Sequence, residues 1–184
     1  MDSGESSYHR FLEGNNEGML EIVCKYQTGL MLYLNSFVQN IHTAEDLTED
    51  TFWELMIKRP KFSGKSSFKT WLFAIGRNIT SKYLRKHSKL NIVSLESQEY
   101  FDVENSIEGN YIQTEEKRMV HMAMHQLKVE YRQVLFLSYF EGFSISEIAI
   151  IMKKTQKQIK NYLYRAKIAL KAELERMGFE YEES

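Results

Sequence analysis

The sequence predicts an all-α protein made of two small helical domains joined by an acidic linker, with a helix-turn-helix in the C-terminal domain. Three observations carry that prediction. Only one proline and nine glycines occur in 184 residues, so long helices meet few breakers. Residues 144–166 hold two helix-start signatures eleven positions apart. Charge is sorted into blocks along the chain, and an acidic stretch separates two basic ones.

Residues 8–40 are rich in Leu, Met, Ile, Val, Phe and Tyr at helical spacing and read as one or two helices, with a break expected near Gly29. Thr43 is the expected N-cap of the next helix, because Glu45 and Asp46 sit in its first turn, where the helix dipole favours acids. That helix runs through AEDLTEDTFWELMIK and stops ahead of Pro60, since the residue before a proline avoids the helical region. Residues 62–66 form a loop. Ser67 then caps a helix over SFKTWLFAIGRNITSKYLRK, with Phe68, Trp71, Leu72, Ile75, Ile79 and Tyr83 as its apolar stripe.

From residue 87 to about 113 the helical period fades. This stretch is too long for an ordinary loop, so it is a functional segment or a linker. The expected organisation is a domain over 1–88, a linker over 89–113 and a second domain over 114–184. Helical pattern resumes at Thr114 and continues through EYRQVLFLSYF. Ser144-x-x-Glu147 and Thr155-x-x-Gln158 each fit the capping box, in which two residues satisfy each other's free N–H groups. Ile145, Ile148, Ala149 and Met152 recur on one face of the first helix; Ile159, Leu163, Ala166 and Leu170 do so on the second. Two short amphipathic helices therefore meet across a turn at Lys153-Lys154, the plan of a helix-turn-helix.

The net charge of −1 hides the sorting. Residues 1–54 hold ten acids and two bases, 58–89 ten bases and no acid, 90–116 seven acids and no base, and 153–171 seven bases and no acid. Two separate basic surfaces suggest two nucleic-acid contacts on one chain. The outer face of the last helix offers Gln156, Lys157, Lys160, Asn161, Tyr164, Arg165 and Lys167. A helix that shows amides and cations outward, with its back locked in a core, suits a major groove.

Other classes find little support. No apolar run approaches the ~20 residues of a membrane span, and the acidic start MDSGESSYHR is unlike a secretory signal. Cytoplasmic residence follows, with Cys24 as a buried thiol in a reducing compartment. His121 and His125 lie four apart without a third ligand, so no metal is expected. No glycine-rich phosphate loop, nucleophile–base pair or carboxylate pair stands out. The chain is expected to be no enzyme and to need no cofactor.

Three stretches, in order, resemble the extracytoplasmic-function subfamily of bacterial RNA polymerase sigma factors: AEDLTEDTFWELM (44–56), FSGKSSFKTWLFAIGRNITSKYLRK (62–86) and EYRQVLFLSYFEGFSISEIAIIMKKTQKQIKNYLYRAKIAL (130–170). By itself the first is an acidic amphipathic helix. The resemblance makes it the segment that docks core RNA polymerase, through Asp46, Glu49, Asp50, Phe52 and Trp53. It makes the second the part that melts and reads the −10 element, with Phe62, Ser63, Lys65, Lys69, Arg77, Asn78, Lys82 and Arg85 on DNA. Cations follow phosphates there and aromatic walls hold unstacked bases, while at least half of the aromatics, Trp71 among them, belong to the buried stripe. Asn78 sits in Gly76-Arg77-Asn78, similar to the family's Ala-Arg-Asn. The third stretch becomes the −35 reader.

The resemblance also implies an anti-sigma protein as partner, free or at the membrane. It leaves two roles open for the acidic linker, a nucleic-acid mimic or a plain connector. Three departures stand out: Lys153 where the family commonly has Gly, Lys154 where it has an apolar residue, and Lys128 where it usually has Pro. A left-handed Lys153 would cost ~1–2 kcal/mol. A stand-alone helix-turn-helix regulator acting as a dimer, and a nucleic-acid-processing enzyme on a helical scaffold, are the competing readings.

Overall fold

The computed structural model describes residues 3–89 and 115–179, and these are helical with no strand among them. The N-terminal half holds α1 (Ser3–Leu12), α2 (Glu17–Val38), α3 (Ile41–Lys58) and α4 (Phe68–Lys89). The C-terminal half holds α5 (Glu115–His125), α6 (Val129–Leu135), a π-helical turn (Phe136–Phe140), α7 (Ile145–Met152) and α8 (Gln156–Arg176). The segment expected to be a linker lies outside the described residues.

Helix ends follow local chemistry. α3 starts earlier than the sequence suggests: Asn40, not Thr43, is its N-cap, and the Thr43 N–H donates to Asn40 Oδ1 at 2.9 Å. α3 ends at Arg59, which is left-handed (φ 44°) directly before Pro60. At the start of α4 the Thr70 N–H donates to Ser67 Oγ at 3.2 Å, as expected for a capping serine. Lys128, at the N-cap of α6, has φ −57° and ψ 145°. That φ lies in the range a proline ring imposes, and lysine adopts it without strain.

α2 is unbroken through Gly29. That glycine marks a close approach rather than a bend: a Cβ on it would lie 2.5 Å from Glu141 Oε1, so the end of that side chain would have to shift. Cys24, on the same helix, is exposed, contrary to the expected buried thiol. The apolar stripe of α2 faced the core through Ile22, Tyr26, Leu30 and Leu34, which left position 24 on the outer side.

In the N-terminal half, Tyr8, Phe62, Phe68 and Trp71 form an aromatic cluster, with ring centroids 5.2–5.7 Å apart for the Phe62, Phe68 and Trp71 contacts. In the C-terminal half, Leu137, Ile148, Ile151, Ile159 and Ala166 are fully buried. The two halves share one continuous core. Tyr33 of α2 stacks with Phe73 of α4 at 5.5 Å and meets Phe136 at 6.4 Å, while Phe73 meets Phe143 edge-on at 5.1 Å.

Candidate nucleic-acid interface

Both capping boxes form. The Glu147 N–H donates to Ser144 Oγ and the Ser144 N–H to Glu147 Oε2; the Gln158 N–H donates to Thr155 Oγ1 and the Thr155 N–H to Gln158 Oε1. The boxes fix where α7 and α8 begin, and Ile148, Met152, Ile159 and Ala166 lock the backs of both helices into the core. Lys153 at the turn is left-handed, with φ 52° and ψ 50°. Phase then decides what faces out: Gln156, Lys157, Lys160, Asn161, Tyr164, Arg165 and Lys167 are all exposed. Lys167 also lies 5.4 Å from the centre of the Tyr139 ring, so its charge is partly engaged. The rest form a row of amides and cations that a major groove can accept.

The 62–86 segment splits into three. Ser63, Lys65, Lys82 and Arg85 are exposed, and Asn78 is half-buried on the same face as Lys82 and Arg85. Phe62 is held against Phe68 and Trp71, so its ring is largely a wall of the core. Arg77 and Lys69 depart from the expected DNA face. Arg77 turns inward over the Phe37 ring, 6.0 Å from its centre, with its Nε buried. Beside it, burial pushes the Tyr33 hydroxyl pKa up, an effect that Arg77 opposes. Lys69 is taken by Glu141, Nζ to Oε2 at 2.7 Å.

On α3, Asp46, Glu49, Asp50 and Trp53 face out, and Trp53 is 55% exposed. Phe52 does not. It is 5% exposed and shares the inner stripe with Leu47, Thr48, Thr51 and Leu55, so it cannot contact a partner directly. Sequence reasoning missed Ile57, which is 70% exposed one turn beyond Trp53. Asp50, Trp53, Glu54, Ile57, Lys58 and Ile79 line a shallow groove of about 290 Å³. The signal was available, since 46, 50, 53 and 57 follow one helical face.

The His121 and His125 rings lie tilted to each other with centres 6.1 Å apart, and among the described residues no group of three or more His, Cys, Asp or Glu could hold a metal. No helix among the described residues is long and apolar enough to cross a membrane.

Comparison with known proteins matches this geometry. Residues 22–90 match the family described as Sigma-70 region 2, and residues 117–170 match Sigma-70, region 4. The chain is 31% identical over 152 residues to the ECF RNA polymerase sigma factor SigM of Bacillus subtilis, covering 83% of this chain and 92% of that protein. It is 26% identical to the RNA polymerase sigma-H factor of Pseudomonas aeruginosa, covering 88% of each. In fold it is similar to the sigma factor RpoE of Bartonella quintana, solved with the anti-sigma factor NepR (23% identity, TM-score 0.68, 88% of this chain and 98% of that one). It is equally similar to CnrH, solved with the cytosolic domain of CnrY (21% identity, TM-score 0.68, 95% of this chain and 99% of that one). Two paired capping boxes, an exposed amide-and-cation row and an acidic helix thus occur in a chain that belongs to the extracytoplasmic-function family of RNA polymerase sigma factors.

Proposed function

We propose that this chain binds core RNA polymerase and directs promoter-specific initiation, leaving catalysis to the polymerase. α8 reads a −35 duplex through Gln156, Lys160, Asn161 and Arg165, with Lys157, Tyr164 and Lys167 beside them. The 62–67 loop and the outer face of α4, through Ser63, Lys65, Asn78, Lys82 and Arg85, take the melted −10 strand. The face of α3 formed by Asp46, Glu49, Asp50, Trp53 and Ile57 docks the polymerase. Residues 1–88 and 114–184 serve as the two functional domains, joined by 89–113.

The observation that carries this reading is the exposed row on α8, held at fixed phase by two capping boxes and a buried back. The names of the relatives support the polymerase as partner. The solved complexes of RpoE and CnrH support an anti-sigma protein as a second one, and a cytoplasmic site of action goes with both.

The test is run-off transcription with purified core polymerase and a promoter library. Specific transcripts should appear only when both polymerase and this chain are present. Transcript starts that do not change when the chain is added would refute the reading, as would tight dimeric operator binding with no effect on the polymerase.

A further inference from the structure

α1 lies ahead of residues 22–90, the stretch that matches region 2, yet it holds the loop that leads into α4. Gly4, Tyr8 and Phe11 fall on one face of α1. Phe11 meets the start of the loop. The Arg59 guanidinium lies 5.1 Å from the centre of its ring, and Arg59 is left-handed, a conformation that costs energy in any residue with a Cβ. One residue on, Pro60 has no N–H, so its carbonyl is the main-chain polar group left to anchor. The Tyr8 hydroxyl donates to that carbonyl at 2.8 Å. Burial pushes the Tyr8 pKa up to about 12, with Arg59 opposing, so the phenol keeps the proton it donates.

The same side chain reaches the far end of the loop. The Tyr8 ring lies 5.5 Å from Phe68, the first residue of α4, and 5.4 Å from Trp71. α1 comes so near that a Cβ on Gly4 would lie 2.6 Å from the Phe68 ring. Phe62, inside the loop, leans on Phe68 and Trp71 in turn. At the tip, Gly64 is left-handed (φ 68°), and a Cβ there would lie 4.0 Å from Glu5 Oε1. α1 thus stands beside the loop at its start, its tip and its end. Tyr8 and Phe11 are buried, so neither touches a base, and any effect they have on DNA passes through the loop.

We propose that α1 sets the shape of the loop that takes the −10 strand, with Tyr8 as a positioning residue that grips both ends. This rests on the reading of the 62–67 loop as a −10 contact. A base out of the stack is told from its competitors by polar groups at fixed places. A loop already in shape does not lose affinity to ordering when DNA arrives.

The test uses Tyr8→Phe, which keeps the ring and removes only the hydroxyl. Holoenzyme made with either chain transcribes one promoter taken from the run-off library, and copies of it with single changes at −10 or at −35. The ratio of transcripts between the parent promoter and its −10 copies should fall by about fivefold in Tyr8→Phe, the factor that one typical hydrogen bond converts to. The ratio for the −35 copies should stay as it is. A variant that merely folds less well lowers all transcripts alike and moves neither ratio. Hydrogen exchange of the chain alone, read by mass spectrometry, should show faster exchange over residues 61–66 in the variant.

Unchanged exchange over 61–66 overturns the grip. Faster exchange with an unchanged −10 ratio overturns its part in reading DNA, as does an equal fall in both ratios. Lys65→Ala is the control for the loop itself. If it leaves transcription from the parent promoter untouched, the assignment of the loop to the −10 strand fails, and the exchange rates still decide whether Tyr8 holds the loop.

Discussion

Arg132 Nε donates to the carbonyl oxygen of Ser36 at 2.9 Å, joining α6 to the C-terminal end of α2 across 96 positions of sequence. Its Nη1 donates to the carbonyls of Leu127, at 2.6 Å, and His125, at 3.2 Å. Arg132 is 9% exposed, and burial lowers its pKa, with Glu130 opposing. Arg132→Met should leave those carbonyls unpaired and lower stability by ~2–4 kcal/mol in urea unfolding. Arg132→Lys should recover little, because one ammonium cannot spread across three acceptors as the fork does. An unchanged urea midpoint in Arg132→Met would show the contact to be dispensable.

The neighbours Phe52 and Trp53 should separate folding from binding. Phe52→Ala removes a buried ring and should cost ~3–5 kcal/mol of stability. Trp53→Ala should leave the melting temperature nearly unchanged and weaken association with core polymerase by ~2 kcal/mol or more. Ile57→Ala should act in the same direction with a smaller loss. Fluorescence anisotropy against purified core polymerase, next to thermal melts, measures both. If Trp53→Ala binds core as well as the native chain does, the α3 face is not the docking surface.

His125 links stability to pH. Burial, then the nearby His121 and Arg132, push its pKa down to about 4. The Gln39 amide lies 3.1 Å from Nδ1 and donates to the His125 carbonyl at 2.9 Å, an arrangement that suits a neutral ring. A depressed folded-state pKa means that the unfolded chain binds the proton first. Stability is therefore fully present above about pH 6.5 and falls as pH drops toward 4. The loss at pH 4.5 should be roughly 1–3 kcal/mol in the native chain and should vanish from the difference curve of His125→Gln. Parallel pH curves for the two proteins would sink the assignment.

On α8, Lys160 and Arg165 are both exposed. If both touch phosphate, alanine at either should weaken −35 duplex binding and lower the slope of log K against log salt by about one. A variant that loses affinity at constant slope, at one base pair only, would make that residue a base reader instead.

Among the described residues, three non-glycine positions are left-handed, each at a helix C-cap: Gln39, Arg59 and Lys153. Gln39 reaches His125, and Arg59 lies 5.1 Å above the Phe11 ring. Lys153 is exposed. Lys153→Gly should therefore raise stability by ~0.5–1 kcal/mol by relieving the Cβ clash. Gln39→Gly should not, because it loses the contact with His125. Chemical denaturation of the two variants side by side distinguishes them.

What could be read from sequence was local. The capping boxes of α7 and α8 need only residues three apart, and the Ile and Ala stripes need only one helix, so both were legible before any contact was known. Phe52 was not, because adjacent aromatics in an acidic helix differ only in phase, and the phase was fixed by the burial of Leu47 and Leu55. Arg77 turned inward because Phe37, on another helix, offered it a ring. Lys69 looked like a DNA contact until Glu141, 72 positions away, was seen to hold it. Gly29 looked like a break because its reason lies in that same distant carboxylate.

The ring contact of Tyr33 and Phe73 with Phe136 and Phe143 makes separation of the halves thermodynamically expensive in water. Each of these rings carries on the order of 150–250 Å² of surface, and parting them wets much of it. A parted chain on its own would be sticky and short-lived, prone to self-association at high concentration. Anything that parted the halves would therefore have to offer those rings an apolar surface in exchange for the one they lose.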